Sequence, residues 1–458
     1  MRRRQHRPLV PAVSRRLIAL LVFLVAFAVR AYWTLRIQSP LTAVYSDMGG
    51  YVSRAEALLA GTTPTEPRIL LMWPWGTHFL VAGELKAFGR NAVTSIGVVH
   101  ALVGAIVAPC AVLLAARFVR SRVAILVAGL AVALWHPHVV FSGFFSSEIW
   151  FSSALMLVTL FLVRRFEGRS GSLAAGLCLA VAFAVRPQIL MTLGIVSLVL
   201  VVVWLRHPKA RPPGGIVRFA LPLLLPLIIT MGFSIRRFHA LDGHWGLIAS
   251  NEAAQRLFGE TSVGKIEAAW VAPDGSPWTW WVAPSTKQPV KPEDRVFVNG
   301  FVYDPKLLAA IRTDRLRGVG TAARLARMID NVELLAVRSL PWPEDDFRRF
   351  RFRHQLQKGF AVAILPVLAL AALGMLFMQR HRFGALLVGA HLLTILIVAA
   401  IYLGEARYRV PYDPLILVVA TLGLHGLLRG AWRAWRAWRA WRAWRLRGRL
   451  RERLRTPA

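Results

Sequence analysis

The chain has 458 residues, 56% of them hydrophobic, and a mean hydropathy of +0.50. It carries 57 Lys and Arg against 23 Asp and Glu, a formal net charge of +34. Apolar runs of about twenty residues recur along it, each long enough to cross a hydrocarbon core of roughly 30 Å, so a soluble domain is excluded. The two cysteines, Cys110 and Cys178, fall inside apolar runs and define no disulfide framework. The positive charge invites a nucleic-acid partner. However, the arginines cluster at span ends on one side, which is the positive-inside pattern, and no nucleic acid is expected.

The N-terminus, "MRRRQHRPLVPAVSRRLIALLVFLVAFAV", has the charge and apolar core of a secretory signal. No small-residue cleavage site follows, and Arg30 interrupts the end of the core, so an uncleaved first span is expected with Tyr32 and Trp33 at the outer interface. Spans are expected near 17–35, 92–117, 122–140, 148–165, 171–187, 189–206, 216–234, 359–378, 383–403 and 412–428. The links "RFVRSR", "RRFEGRSG", "RHPKARPPGG" and "QRHRFG" are basic and belong in the cytoplasm with both termini. Segments 36–91, 141–147, 235–358 and 404–411 then face outside. Pro187 separates the short fifth and sixth spans.

The expected fold is therefore an all-α polytopic membrane protein of about ten transmembrane helices with an extracytoplasmic segment of mixed structure. Its parts are an N-terminal membrane module (1–234) with a first outer loop (36–91), the extracytoplasmic segment (235–358), C-terminal spans (359–428) and a basic tail (429–458). The outer segment is too polar for lipid and carries the aromatic run "SPWTWW" (276–281). The tail holds eleven Arg against one Glu and repeats "AWR" with period three. On a helix such Trp residues drift round the surface, and Arg can reach lipid phosphates while Trp sits among headgroups. A tandem expansion without a specific role is the simpler reading.

The outer edge holds Asp47, Glu148, Arg186, Glu405, Arg407 and Arg409. Charges placed there are costly and tend to be functional. Arginines grip phosphate through paired hydrogen bonds, and a carboxylate can take a proton from an attacking hydroxyl. Both together suit a lipid-linked phosphate donor and a nucleophilic acceptor. Each residue also has a structural reading. Asp47 caps the amphipathic helix 51–60, Glu148 favours its helix dipole, and Arg186 anchors a membrane edge. "WHPH" (135–138) reads as a proline turn first and a metal pair second. "EARYRVP" (405–411) is the least easily reduced to structure, with three charges and a tyrosine in five residues.

In this order the pieces resemble the GT-C superfamily of membrane glycosyltransferases, in its bacterial protein O-mannosyltransferase and aminoarabinose-transferase branch. The resemblance spans about residues 15–428. It rests on "SDMGGYVSRAEALLAG" after the first span, "SSEIWFSSALMLVTLFLV", the Arg186–Pro187 junction, and "GEARYRVPYDPLILVVA". Trp73-Pro74-Trp75 stands where the family has His-Pro-Pro, and Ser250-Asn251-Glu252 where it has Ser/Thr-Asn-Gly.

The resemblance implies a polyprenyl-phosphate-linked sugar as donor and inverting transfer to an acceptor hydroxyl on the extracytoplasmic face of a bacterial inner membrane. It implies Asp47 as catalytic base and Glu148 as the residue orienting the acceptor or the base. It implies Arg186, Arg407, Arg409 and Tyr408 on the donor phosphate, and Tyr51, Glu405 and Asn251 on other parts of the substrates. The acceptor class stays open among lipid, protein and polysaccharide, as does a divalent metal. A lipid-linked glycan polymerase or ligase and a membrane transporter are the alternatives. No repeat relates the two halves, which weighs against transport.

Overall fold

A computed structural model describes residues 12–62, 70–207, 215–261, 265–271, 277–282, 295–299, 305–338, 351–378 and 382–453. In chain order the helices are α1 (Ala12–Tyr32), α2 (Ser46–Ala60), α3 (Trp75–Phe88), α4 (Val93–Ala105), α5 (Val107–Phe118), α6 (Arg122–Ala133) and α7 (His136–Val140). They continue as α8 (Ser147–Phe166), α9 (Ser172–Val185), α10 (Ile189–Arg206), α11 (Gly215–Asp242) and α12 (Glu252–Glu260). Three strands follow: β1 (Lys265–Val271), β2 (Pro277–Val282) and β3 (Arg295–Asn299). The chain ends with α13 (Pro305–Arg315), α14 (Thr321–Glu333), α15 (Arg351–Met378), α16 (Arg382–Ile401), α17 (Ala406–Arg409) and α18 (Asp413–Arg453).

Among the described residues eight helical stretches are long and apolar enough to span a membrane, or nine if α6 and α7, bent by 49°, count as one. The one expected span left over, the fifth, near 171–187, is α9. Its 14 residues reach only about 21 Å, short of the hydrocarbon thickness. Its end is set by Pro187, which pushes the preceding residue out of the helical region: Arg186 is extended, with φ −148° and ψ 104°. The expected boundary at 234/235 falls inside a helix, because α11 runs on to Asp242 despite Pro222 and Pro226. The expected end of the last span at 428 is likewise crossed by α18. The links "RHPKARPPGG" and "QRHRFG" lie largely outside the described residues, as do residues 1–11.

The core is built where these helices meet. α1 packs on α4, α5 and α6, α8 on α9, and α15 along α18. Ala108, Ala111, Ala115, Ala128 and Ala133 are fully buried, so small side chains let the first helices approach closely. Trp33 departs from its expected place at the interface. It is buried edge-on to His136, 5.3 Å between ring centres, while Tyr32 is exposed. Arg30 is fully buried rather than at a span end. Its guanidinium donates to the carbonyls of Ala133 (2.8 Å) and Ala26 (3.2 Å) and meets His138 Nδ1 at 3.1 Å. The α6–α7 break provides the free carbonyls it needs.

The outer segment begins with α12 and ends near α14. In between, β1 pairs antiparallel with β2 and parallel with β3, in the order β2-β1-β3. The aromatic run "SPWTWW" falls on β2, apart from Ser276, which lies outside the described residues. The buried Asn331 of α14 joins this segment to the C-terminal spans. Its Nδ2 donates to Gly259 O (2.8 Å) and Tyr402 O (3.1 Å). Backbone meets backbone on both sides of it: a Cβ on Gly259 would collide with Tyr402, and one on Gly404 with Asn331 itself. Backbone cannot swing aside as a side chain can. Gly404→Ala is therefore expected to lower stability by about 1–3 kcal/mol, the range for overpacking a tight contact. Thermal unfolding of the purified protein checks this, and an unchanged midpoint would refute the contact.

Candidate active site

Asp47, Glu148, Arg186 and Arg407 belong to four separate elements. Each lies at a helix end, and the alternation of the spans brings those ends to one side of the bundle. Asp47 is the second residue of α2, whose N-cap is Tyr45 without a side-chain cap bond. Asp47 thus sits in the favourable first turn and does not occupy the cap position. Its Oδ2 accepts a hydrogen bond from Arg407 Nη1 at 2.7 Å. Gly50 follows one turn later because the Trp73 ring lies against it, 3.0 Å from where a Cβ would be.

Arg407 Nε also donates to Glu148 Oε1. The same oxygen accepts from Arg186 Nη2 at 2.5 Å, and Arg186 Nε donates to Ser147 Oγ at 2.9 Å. The result is a chain of alternating charge, Asp47–Arg407–Glu148–Arg186. Pro187 contributes directly, since the extended Arg186 leaves the α9 axis and turns back toward the start of α8. Glu148 is only 1% exposed, beneath both guanidiniums. It does not line the cavity described next, whereas Ser147, Arg186 and Arg407 do. Its geometry is that of a residue holding two arginines.

The cavity has a volume of about 1590 Å³ and is walled by α2, the 185–191 junction, residues 246–256 and the 402–408 turn. Asp47, Tyr51, Asn251, Glu405 and Tyr408 all line it. Tyr408 donates its hydroxyl to Gln255 Oε1 at 3.3 Å, and its ring lies 5.6 Å from the Arg186 guanidinium carbon. Burial, reinforced by Asp47, pushes the Tyr51 hydroxyl up to about 12, so it stays a hydrogen-bond donor at neutral pH. Burial likewise pushes the Glu405 carboxyl up to about 7 against the pull of Arg407, with Asp47 and Glu148 adding to the rise.

Arg409 lies elsewhere. It donates Nε to Asp413 Oδ1 at 2.9 Å and Nη1 to the carbonyls of Leu335 (3.0 Å) and Ala336, and it is absent from the cavity wall. Asp413 in turn accepts from Trp135 Nε1 at 2.6 Å. Arg409 therefore ties the 334–338 turn to the start of α18, and of the pair Arg407 is the one on the cavity wall. The "HPH" histidines also have structural partners. His138 uses one ring nitrogen on Arg30 and the other on Ser152 Oγ at 3.0 Å, and His136 packs between Trp33 and Phe360. Among the described residues no group of three or more His, Cys, Asp or Glu is placed to hold a metal ion.

Sequence reasoning missed Arg54 and Trp73. Arg54 is buried in the cavity wall with its guanidinium 4.1 Å from the Trp73 ring centre, a cation–π contact, and burial lowers it to about 10. The spacing Asp47–Arg54, seven residues on one helix, puts both on the same face and was the available signal. Close behind, Arg237 Nη2 meets His78 Nε2 at 3.4 Å. Burial, with Arg237 and Arg54 beside it, drives His78 down to about 2, so it stays neutral.

No family model matches the sequence, and no curated protein matches it. The chain is similar to solved structures of ArnT from Cupriavidus metallidurans. With the apo form it shares 14% identity and a TM-score of 0.36 over 88% of this chain and 76% of that one. With the form bound to undecaprenyl phosphate it shares 15% and 0.38 over 90% and 78%. Likeness at this level transfers no residue and no role.

Proposed function

We propose that this protein is an integral membrane glycosyltransferase. It moves a sugar from a polyprenyl phosphate to an acceptor hydroxyl at the extracytoplasmic face, with inversion. The observation that supports this best is the juxtaposition of Asp47 with Arg407 and Arg186 on the wall of one large cavity at the span ends. The basic links between spans support an outer position for that end of the bundle. Lengthwise, apolar helices flank the cavity and suit a lipid-tailed substrate.

In this reading Arg407 engages Asp47 through Oδ2, and Oδ1 accepts the proton of the acceptor hydroxyl. The freed oxygen attacks the anomeric carbon from the face opposite the phosphate. The carbon–oxygen bond to phosphate breaks, and the phosphate leaves with the electron pair. Arg186 and Arg407 neutralise the charge that builds on it, and Glu148 fixes both guanidiniums in advance of the reaction. No step requires a metal. Tyr51, Tyr408 and Asn251 supply donors around the sugar and phosphate.

The test uses purified protein in lipid with a panel of radiolabelled polyprenyl-phosphate sugars and native envelope acceptors. Transfer of label to an acceptor, with polyprenyl phosphate as co-product, is the expected result. Binding without turnover of any donor, coupled to movement of a solute across the bilayer, would replace this reading with transport.

A further inference from the structure

Three carboxylates and two guanidiniums meet at one end of the cavity. Arg407 bonds both Asp47 and Glu148, and Arg186 bonds Glu148. These four sum to zero when ionised, and Arg54, on the same cavity wall and within reach of the Asp47 charge, leaves one net positive charge. Glu405 is the third carboxylate. It is 7% exposed, lines the same cavity, and stands two residues before Arg407 at the N-cap of α17 with an extended backbone (φ −149°, ψ 138°). Ionised, it would cancel that positive charge at the point where an anionic phosphate has to enter.

We infer that Glu405 is the specificity gate for the phosphate: in its neutral acid form it admits the anionic donor and offers it a hydrogen bond, and in its ionised form it repels it. This rests on the lipid-phosphate reading above and assigns the pH dependence of that same site to one residue.

The groups facing Glu405 come from every side of it. Arg407 and Tyr408 are on its own turn, Asp47 is on α2, Glu148 opens α8, and Arg186 precedes α10. Farther round the cavity Arg256 pairs with Glu252 and Glu260, and Arg312 with Glu260, so those charges offset one another. Arg407 and, more weakly, Arg186 favour the ionised form of Glu405, and both are already engaged, Arg407 by Asp47 and Glu148 and Arg186 by Glu148. Burial and the two like charges prevail, and the carboxyl titrates near neutrality, at about 7. The proton it carries is exchanged with solvent. It is not consumed in transfer, because the acceptor proton goes to Asp47.

The sign of the dependence follows. Donor affinity is full below about pH 7 and falls as pH rises through it. Stability runs the same way, since a raised carboxyl favours folding below its ordinary value of 4.5 and loses that contribution as pH rises through about 7.

The test is binding of a polyprenyl methyl phosphodiester to the full-length protein in nanodiscs between pH 6 and pH 9. The diester keeps one negative charge throughout, so only the protein titrates. Wild type is expected to lose about tenfold or more in affinity across that range. Glu405→Gln, neutral at every pH, is expected to hold its pH 6 affinity to pH 9. A flat wild-type profile would overturn the gate, and so would an equal decline in both proteins, which would assign the titration to another group. Should Glu405→Gln not fold, Glu405→Ser is read by the same criterion. Absence of diester binding at every pH would instead remove the lipid-phosphate reading itself and the gate with it.

Discussion

Asp47→Asn is expected to reduce sugar transfer by about 10²- to 10⁴-fold while the donor still binds. The range is that of a positioned general base, and it corresponds to about 3–5 kcal/mol of barrier. The substitution is chosen for shape. Asparagine keeps an oxygen where Oδ2 meets Arg407 Nη1 at 2.7 Å, so the Arg407–Glu148–Arg186 arrangement has no reason to move. What disappears is the ability to take a proton. Initial rates and donor affinity must therefore be measured separately, since the prediction is a fall in kcat with affinity kept. Full transfer by the variant would remove Asp47 from the chemistry.

Glu148→Ala acts on folding as well as on turnover. Two guanidiniums lean on one buried carboxylate, so its removal leaves two desolvated positive charges close together beside Asp47. Breaking a buried ion pair in this way costs about 3–5 kcal/mol. Replacing Arg186 with methionine in the same chain removes one of the stranded charges. The double variant is thus expected to melt above Glu148→Ala alone, a non-additivity that only coupled groups show. Thermal unfolding of wild type, Glu148→Ala, Arg186→Met and the double variant in lipid decides it. Simple addition of the two single effects would show that the residues do not form one network.

Much of this site was legible before any coordinates. Charges at the ends of apolar runs are few, and the residues Asp47, Glu148, Arg186 and Arg407 stand out there for a physical reason: a bilayer edge tolerates ionised groups only when they are partnered or used. The junction was legible too, because proline fixes the backbone of the residue before it. Pairings were not. Arg407 and Arg409 look interchangeable in "EARYRVP", yet Asp413 lies one helical turn beyond Arg409 and captures it, while Arg407 turns to elements more than 250 residues away in sequence. Glu148 could be marked as important, but its place beneath two arginines depends on tertiary packing that no local pattern encodes. Within 246–256 the resemblance marked Asn251, but the reach of the whole stretch was hidden for the same reason, since it meets the cavity because α11 delivers it there. The span count of ten rested on hydropathy and the charge of the links, which mark α9 as short but still count it as a span and cannot register the bend between α6 and α7.

The last helix carries a further consequence. At 41 residues α18 is about 60 Å long, roughly twice the hydrocarbon thickness, so about half of it stands clear of the spans. Along that half each third residue is Trp, stepping back by about 60° round the axis, so the five indoles from Trp432 to Trp444 sweep about 240°. Arg439, Arg442 and Arg445 each cover the indole four residues earlier, at 4.1–5.3 Å. Such a rod has no keel. Over most of its circumference it presents the same mixture of ring and guanidinium, and an approaching surface gains little by turning it.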